Sequence, residues 1–268
     1  VPLRLTPAFR AALAASDRPL AGMWVCSGSP VAAEIAAGSG LDWLLIDMEH
    51  SAASLETVLT LLQVTAAYPV TPVVRVPWND PVVIKQVLDL GAQNLIVPMV
   101  SSAAEARAAV AATRYPPGGV RGVGSALARS ARWNRVDGYL TGAGDQVSLT
   151  VQIETTAGVA AAAEIAAVEG VDAVFVGPSD LSASMGLLGQ QSHPDVVAAV
   201  HAVFAACRDA GTPVGVNAFD PAVAEAYLDA GADFVAVGAD VALLARASEA
   251  LAARFVTGRS LSEERESY

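Results

Sequence analysis

Short apolar runs recur along the chain, each followed by a longer stretch in which Ala, Val, Leu and Ile return at helical spacing. The runs predict strands over Leu20–Val25, Trp43–Asp47, Pro72–Val76, Asn94–Met99, Ser148–Glu154, Ala173–Gly177, Pro213–Val216 and Phe234–Gly238. Helices are expected to begin near Pro30, Ser54, Asp80, Ser102, Thr155, Pro194, Asp220 and Asp240. Ser, Thr and Asp favour helix N-caps, and Pro fits a first turn. An amphipathic segment, Pro7 to Ala15, precedes the first strand and is expected to plug or flank what the strands build. Eight strand–helix units in strict alternation argue for an α/β fold, a closed (β/α)8 TIM barrel, over an open doubly wound sheet. An open sheet would carry a Gly-rich phosphate turn after its first strand, and Cys26-Ser-Gly-Ser-Pro30 is not one.

One connection breaks the rhythm. Tyr115 to Asp145 runs through Pro116-Pro-Gly-Gly119, Gly122-Val-Gly124 and a cluster of Arg121, Arg129, Arg132 and Arg135. A loop of that length inside a compact domain is usually functional. It is expected either to anchor over the barrel mouth or against a neighbouring subunit, or to be a solvated insertion. The 268 residues suit one barrel domain over 1–256, since this fold takes roughly 250 residues. The charged, serine-rich tail 257–268 is expected to be frayed.

Composition narrows the partners. A hydrophobic content of 53% supplies a large core, rich in the Ala, Val, Gly and Leu of buried parallel strands. The net charge of -11 disfavours nucleic acid, whose phosphates need a positive surface. No apolar run approaches the roughly 20 residues of a membrane span, and the start lacks the pattern of a signal peptide. Cys26 and Cys207 are too few for a disulfide framework, which points to a reducing cytoplasm.

Catalytic side chains of a barrel sit at the carboxyl ends of its strands, so candidate chemistry is sought there. Val151-Gln-Ile-Glu154 and Val176-Gly-Pro-Ser-Asp180 each close an apolar run with a carboxylate. Consecutive barrel strands would bring Glu154 and Asp180 together. Two carboxylates with few other ligands suit a hard divalent cation that leaves positions open for water and substrate. Strand two ends in Asp47-Met-Glu-His50, strand three supplies Arg75, strand five Gln152, and Asn217 follows strand seven. His50 reads as a general base, against the plainer role of a structural histidine. Of Asp47 and Glu49, only one is expected to point into the site. Arg75, set among Val73, Val74, Val76 and Pro77, needs an anionic partner: a barrel-layer carboxylate, or a bound oxyanion or enolate. The backbone N–H groups that Gly177-Pro178-Ser179-Asp180 opens suit a carboxylate. A phosphate is disfavoured, because Asp220 and Asp240 stand where barrel phosphate sites usually form. The one lysine, Lys85, lies inside a predicted helix, away from any strand end. That closes the Schiff-base route and leaves a metal.

Five stretches carry a resemblance: Leu41-Asp-Trp-Leu-Leu-Ile-Asp-Met-Glu-His50, Lys85-Gln-Val-Leu-Asp-Leu-Gly-Ala-Gln93, Tyr115-Pro-Pro-Gly-Gly-Val-Arg-Gly-Val-Gly124, Val151-Gln-Ile-Glu154 and Gly177-Pro-Ser-Asp-Leu181. In order and length they resemble the class II, metal-dependent pyruvate aldolases of the HpcH/HpaI family, over about Leu20 to Phe255. The resemblance implies a (β/α)8 barrel whose last helix is exchanged between subunits, in a homohexamer built as a dimer of trimers. It implies Mg2+ or Mn2+, sometimes Co2+, held by Glu154 and Asp180. It makes Arg75 the stabiliser of a pyruvate enolate and His50 the base, assisted by Asp89 of an adjacent subunit. Gln152 would touch the keto acid, Asp47 would order waters on the metal, and Gly177, Pro178 and Ser179 would receive the substrate carboxylate. The implied reaction adds a pyruvate enolate to an aldehyde, or cleaves a 4-hydroxy-2-oxo acid. Hydroxypyruvate or 2-keto-3-deoxy-sugar-acid aldolase, and a citrate-lyase-like acyl-CoA ester lyase, remain within the same resemblance.

Overall fold

The computed structural model describes residues 3, 5–124 and 126–257. The expected frayed tail lies, beyond Thr257, outside the described residues. Eight parallel strands close on themselves in chain order: β1 (Leu20–Val25), β2 (Trp43–Asp47), β3 (Thr71–Arg75), β4 (Asn94–Val97), β5 (Ser148–Ile153), β6 (Ala173–Val176), β7 (Val214–Asn217) and β8 (Phe234–Ala239). The helices are α1 (Phe9–Ala15), α2 (Pro30–Ala37), α3 (Leu55–Thr65), α4 (Pro81–Asp89), α5 (Ala103–Thr113), α6 (Tyr139–Gly142), α7 (Thr156–Ala160), α8 (Ala162–Ala166), α9 (Pro178–Ser184), α10 (Pro194–Ala210), α11 (Pro221–Asp229) and α12 (Asp240–Ala252). This is the (β/α)8 barrel that the alternation predicts, with strand ends within two residues of the expected positions.

The predicted caps do their work. Ser54, Asp80, Ser102, Thr155 and Asp220 each accept a first-turn N–H, as does Ser29 ahead of Pro30. Each such cap contributes about 1 kcal/mol. Asp240 behaves differently: it is already helical, and its carboxylate accepts the Cys26 and Ser27 N–H groups, tying the β1–α2 loop to α12.

Alternation along the strands separates two cores. Leu44, Ile46, Val74, Leu95, Val151 and Val174 face outward beneath the helices. Trp24, Trp43, Phe175 and Phe234 face inward in a chain of ring contacts that ends on Phe9 of α1, which meets Trp43 and Phe234, with centroids 5.3–6.4 Å apart. Gly22 makes this possible, since a Cβ there would stand 2.4 Å from the Trp43 indole. Burying each such ring contributes about 1.5–3 kcal/mol. Helix α1 plugs the amino end of the barrel: Phe9 N–H donates to Asn94 Oδ1 (2.6 Å), and Arg10 Nη1 donates to the Val147 carbonyl (3.0 Å).

The long connection Tyr115–Asp145 does not cover the catalytic mouth. It follows α5, which has already returned the chain to the amino ends of the strands, so the expectation of an anchor over the mouth is corrected. Its inner face is packed rather than solvated. Arg121 is fully buried, with Nη2 3.1 Å from Asp89 Oδ1 and its guanidinium 4.6 Å over the Tyr115 ring. Arg129 Nη1 donates to the Leu90 carbonyl, and Ala131, Tyr139 and Ala143 form a small core of their own. Burial and the nearby Arg132 charge push Arg129 down to about 10. Val120, Val123, Leu127 and Trp133 remain exposed on the outer face.

Candidate active site

The parity that turns large rings inward on the strands places polar groups inward at their carboxyl ends. Asp47 closes β2 and Arg75 closes β3, paired in register across the two strands. On β5 every second residue, Ser148, Thr150 and Gln152, is polar and buried, and Glu154 extends the series beyond the strand. Asn217 closes β7. Polar groups at the ends of β2, β3, β5 and β7, and Asp180 after β6, stand at the carboxyl end of the barrel.

Arg75 is buried and held on two sides. Its Nε and Nη2 donate to the two carboxylate oxygens of Asp47 at 2.9 and 3.0 Å, and Nη1 lies 2.7 Å from Glu49 Oε2. Such forked contacts are the strong ones. The expectation that only one of Asp47 and Glu49 faces the site is corrected, because both reach Arg75. Asp47 ends β2 and Glu49 lies in the bend that follows it, and that bend brings both carboxylates to Arg75. The anionic partner that Arg75 requires is therefore supplied by the protein. Asp47 also accepts the backbone N–H groups of Glu49 and His50, shaping the turn that carries the histidine to the rim. Burial raises the Glu49 carboxyl despite the nearby Arg75 charge.

Glu154 is buried just beyond the end of β5, two strands from Arg75. Its Oε1 accepts the Met99 N–H at 2.7 Å and its Oε2 accepts from Gln152 Nε2. Burial, reinforced by the charges of Glu49 and Asp180, pushes its carboxyl up to about 7. Gly177 permits this packing: a Cβ there would stand 2.8 Å from Glu154 Oε2 and 3.0 Å from Gln152 Nε2. Gln152 Oε1 is buried without a hydrogen-bond partner. Gly177 caps α9, Pro178 opens it, and Asp180 stands exposed in its first turn. Ser179 Oγ donates to Gln191 Oε1 at 2.8 Å.

Asp89 is not brought to this group. It ends α4 at the amino end of the barrel, bound to Arg121, so contact with a His50 requires another subunit. Two participants escaped the sequence. Trp24 lies under Arg75, with the guanidinium carbon 4.3 Å from its ring centroid. Met99 holds a left-handed conformation (φ 59°) while giving its N–H to Glu154. For a non-glycine residue that backbone costs on the order of 1–3 kcal/mol and tends to mark functional sites. Strand periodicity carries no signal for either. Beside the mouth lies a cleft of about 350 Å³, bounded by Pro178, Gln191, His193, Asn217, Phe219 and Asp220.

The donors fit a hard divalent cation. Among the described residues no three His, Cys, Asp or Glu side chains gather in metal-binding geometry. Glu154 and Asp180 offer two carboxylates at the ends of neighbouring strands, and the Asp180 charge helps to raise the buried Glu154 carboxyl. Two protein oxygens with the remaining positions left to water and substrate is a habit of Mg2+ and similar ions. No helix among the described residues is long and apolar enough to cross a membrane.

Comparison with known proteins identifies the family. The profile of the HpcH/HpaI aldolase/citrate lyase family matches residues 20–247. A 4-hydroxy-2-oxo-heptane-1,7-dioate aldolase of Shigella flexneri is 55% identical over 254 residues, covering 95% of each chain. The Escherichia coli protein of that name is 56% identical over 247 residues, covering 92% of this chain and 94% of its own. Among solved structures, an HpcH/HpaI aldolase/citrate lyase family protein from Burkholderia cenocepacia superposes with a TM-score of 0.88 at 42% identity. It covers 92% of this chain and 98% of its own.

Proposed function

Because the chain belongs to the HpcH/HpaI aldolase/citrate lyase family, we propose that it is a divalent-metal-dependent aldolase. It cleaves a 4-hydroxy-2-oxo acid to pyruvate and an aldehyde, and in reverse adds the pyruvate enolate to an aldehyde. The observation that carries this reading is the arrangement of charge at the mouth. A buried, doubly clamped guanidinium closes β3, and the carboxylates of Glu154 and Asp180 stand at the ends of the nearby β5 and β6.

Held by Glu154 and Asp180, Mg2+ or Mn2+ (or Co2+) would polarise the keto group and lower the cost of forming the enolate. The chain's own residues supply the rest. Arg75 offers fixed positive charge where negative charge develops on oxygen, without having to reorganise. His50 takes the proton of the C4 hydroxyl as the C3–C4 bond breaks, and its electron pair becomes the enolate. That enolate then accepts a proton to give the methyl group of pyruvate. Asp89 of an adjacent subunit assists His50. Asp47 holds Arg75 and the His50 turn as well as ordering water. Gln152 and the Gly177–Ser179 backbone receive pyruvate or hydroxypyruvate.

A small aldehyde suits the acceptor position better than a CoA ester. CoA phosphates want basic groups, and no Lys or Arg lines the cleft beside the mouth among the described residues. The arginine-rich connection lies at the other end of the barrel. The relatives' 4-hydroxy-2-oxo-heptane-1,7-dioate is the first substrate to try. Both cysteines are free thiols, in keeping with a cytoplasmic home.

Assembly belongs to the same reading. Helix α12 buries none of its residues and exposes Val241, Leu243, Leu244 and Leu251. A helix of that kind wants a partner. Exchange of the last helix between subunits of a hexamer would cover it and bring Asp89 to a neighbouring His50.

The test follows pyruvate release from 4-hydroxy-2-oxo-heptane-1,7-dioate through a lactate dehydrogenase couple. Chelated protein is expected to be silent and to recover with Mg2+ or Mn2+. Full turnover in the presence of excess chelator would contradict metal dependence, and silence with every metal would remove this substrate class.

A further inference from the structure

We propose that Trp24 and Asn217 are positioning residues for Arg75, which together set the plane of its guanidinium from across the barrel. The inference rests on the aldolase reading, in which Arg75 meets the developing oxyanion. Asp47 and Glu49 hold the edges of the guanidinium, and both come from the β2 side. Edge contacts leave the group free to tilt about the line of its carboxylates. The face is held by something else: the Trp24 ring of β1, with its centroid 4.3 Å from Cζ. A cation over an indole is the best of the aromatic pairings.

The indole is itself held. Its Nε1–H donates to Asn217 Oδ1 at 2.7 Å, and its ring packs edge-on against Phe175 at 6.3 Å. A continuous line of contacts thus runs from β7 through β1 to β3. Asn217 has no contact with Arg75 and acts through the indole alone. The ordinary alternative is that Trp24 merely fills the top layer of the barrel, where it packs beside Phe175.

The two roles separate in a double-mutant cycle read by exchange of pyruvate methyl protons in D2O, a reaction that needs no aldehyde. Trp24→Leu is expected to lower kcat about 10–100-fold while pyruvate KM and divalent affinity move less than about 3-fold, the pattern of a contact used only in the transition state. Trp24→Phe, which keeps a ring face, is expected to lose less. Asn217→Leu is expected to fall about 3–10-fold, and Asn217→Asp, which keeps an oxygen for the indole N–H, to recover most of that. In an Arg75→Lys background Trp24→Leu is expected to cost less than about 3-fold, because coupled residues are not additive. The same loss in both backgrounds would overturn the proposal.

Crystals of Trp24→Leu give a readout independent of rate. A guanidinium tilted from its seat is expected, and an unchanged plane would overturn the proposal. Failure of the aldolase reading would look different. Wild-type protein itself would then show no exchange, while the crystallographic comparison would still decide whether Trp24 orients Arg75.

Discussion

Under the proposed reading a proton and a cation compete for Glu154. Its carboxyl is raised from 4.5 to about 7, chiefly by burial. In metal-free protein the proton therefore favours the folded state. The stability due to this group is fully present below about pH 4.5 and is lost as pH rises through about 7. A bound cation reverses the preference, because it needs the ionised form. Divalent affinity is expected to fall about tenfold per pH unit below 7, with proton release on binding at pH 6 that vanishes in Glu154→Gln. Calorimetry in buffers of different ionisation heat measures both. Gly177→Ala should push Glu154 and Gln152 apart, costing about 1–3 kcal/mol of stability and lowering divalent affinity. Thermal melts paired with metal titration would register it. Arg75→Ala is expected to lose about 10²–10³-fold in kcat while retaining metal, whereas Glu154→Ala loses metal first. Most of these residues were legible as carboxylates, an arginine and a histidine at apolar strand ends. Trp24 was not, because one more apolar residue in a buried strand says nothing about which cation rests on it. Nor was the strained Met99, whose part is played by its backbone N–H.

The strands and caps were legible because the pattern is repeated and locally enforced: each apolar run is bounded by Ser, Thr, Asp or Pro. The connection Tyr115–Asp145 was legible only as an interruption. Its composition reports a surplus of arginine, and the direction of α5 decides which end of the barrel receives it. Arg121 is the tie within that element. Its charge is buried against Asp89, Tyr115 and Tyr139, and Nε has no partner. Arg121→Ala removes this tie, leaves a cavity and frees Asp89. A loss of about 2–4 kcal/mol is expected in chemical denaturation. Under the reading that Asp89 serves a neighbour's His50, the pH profile of the enzyme should change in the same variant. Wild-type stability in Arg121→Ala would show the connection to be a passive insertion.

At the scale of the molecule, α12 and α2 leave an apolar surface exposed. Leu244 and Leu251 of α12 are 70% and 60% exposed, and Val31 and Ile35 of the neighbouring α2 are 65% and 71% exposed. Leu244→Glu with Leu251→Glu is expected to shrink the assembly seen by analytical ultracentrifugation while circular dichroism keeps the barrel's signal. An unchanged sedimentation coefficient would remove α12 from the interface. The central claim concerns the mouth of the barrel, where carboxylates, a metal and Arg75 are to make an enolate. The most direct test strips the protein with chelator and follows the methyl signal of pyruvate in D2O by NMR, before and after Mg2+ or Mn2+ is restored. Loss of that signal only with metal, abolished by Arg75→Ala, is the predicted result. A methyl signal that persists in protein shown to bind the cation would contradict the account.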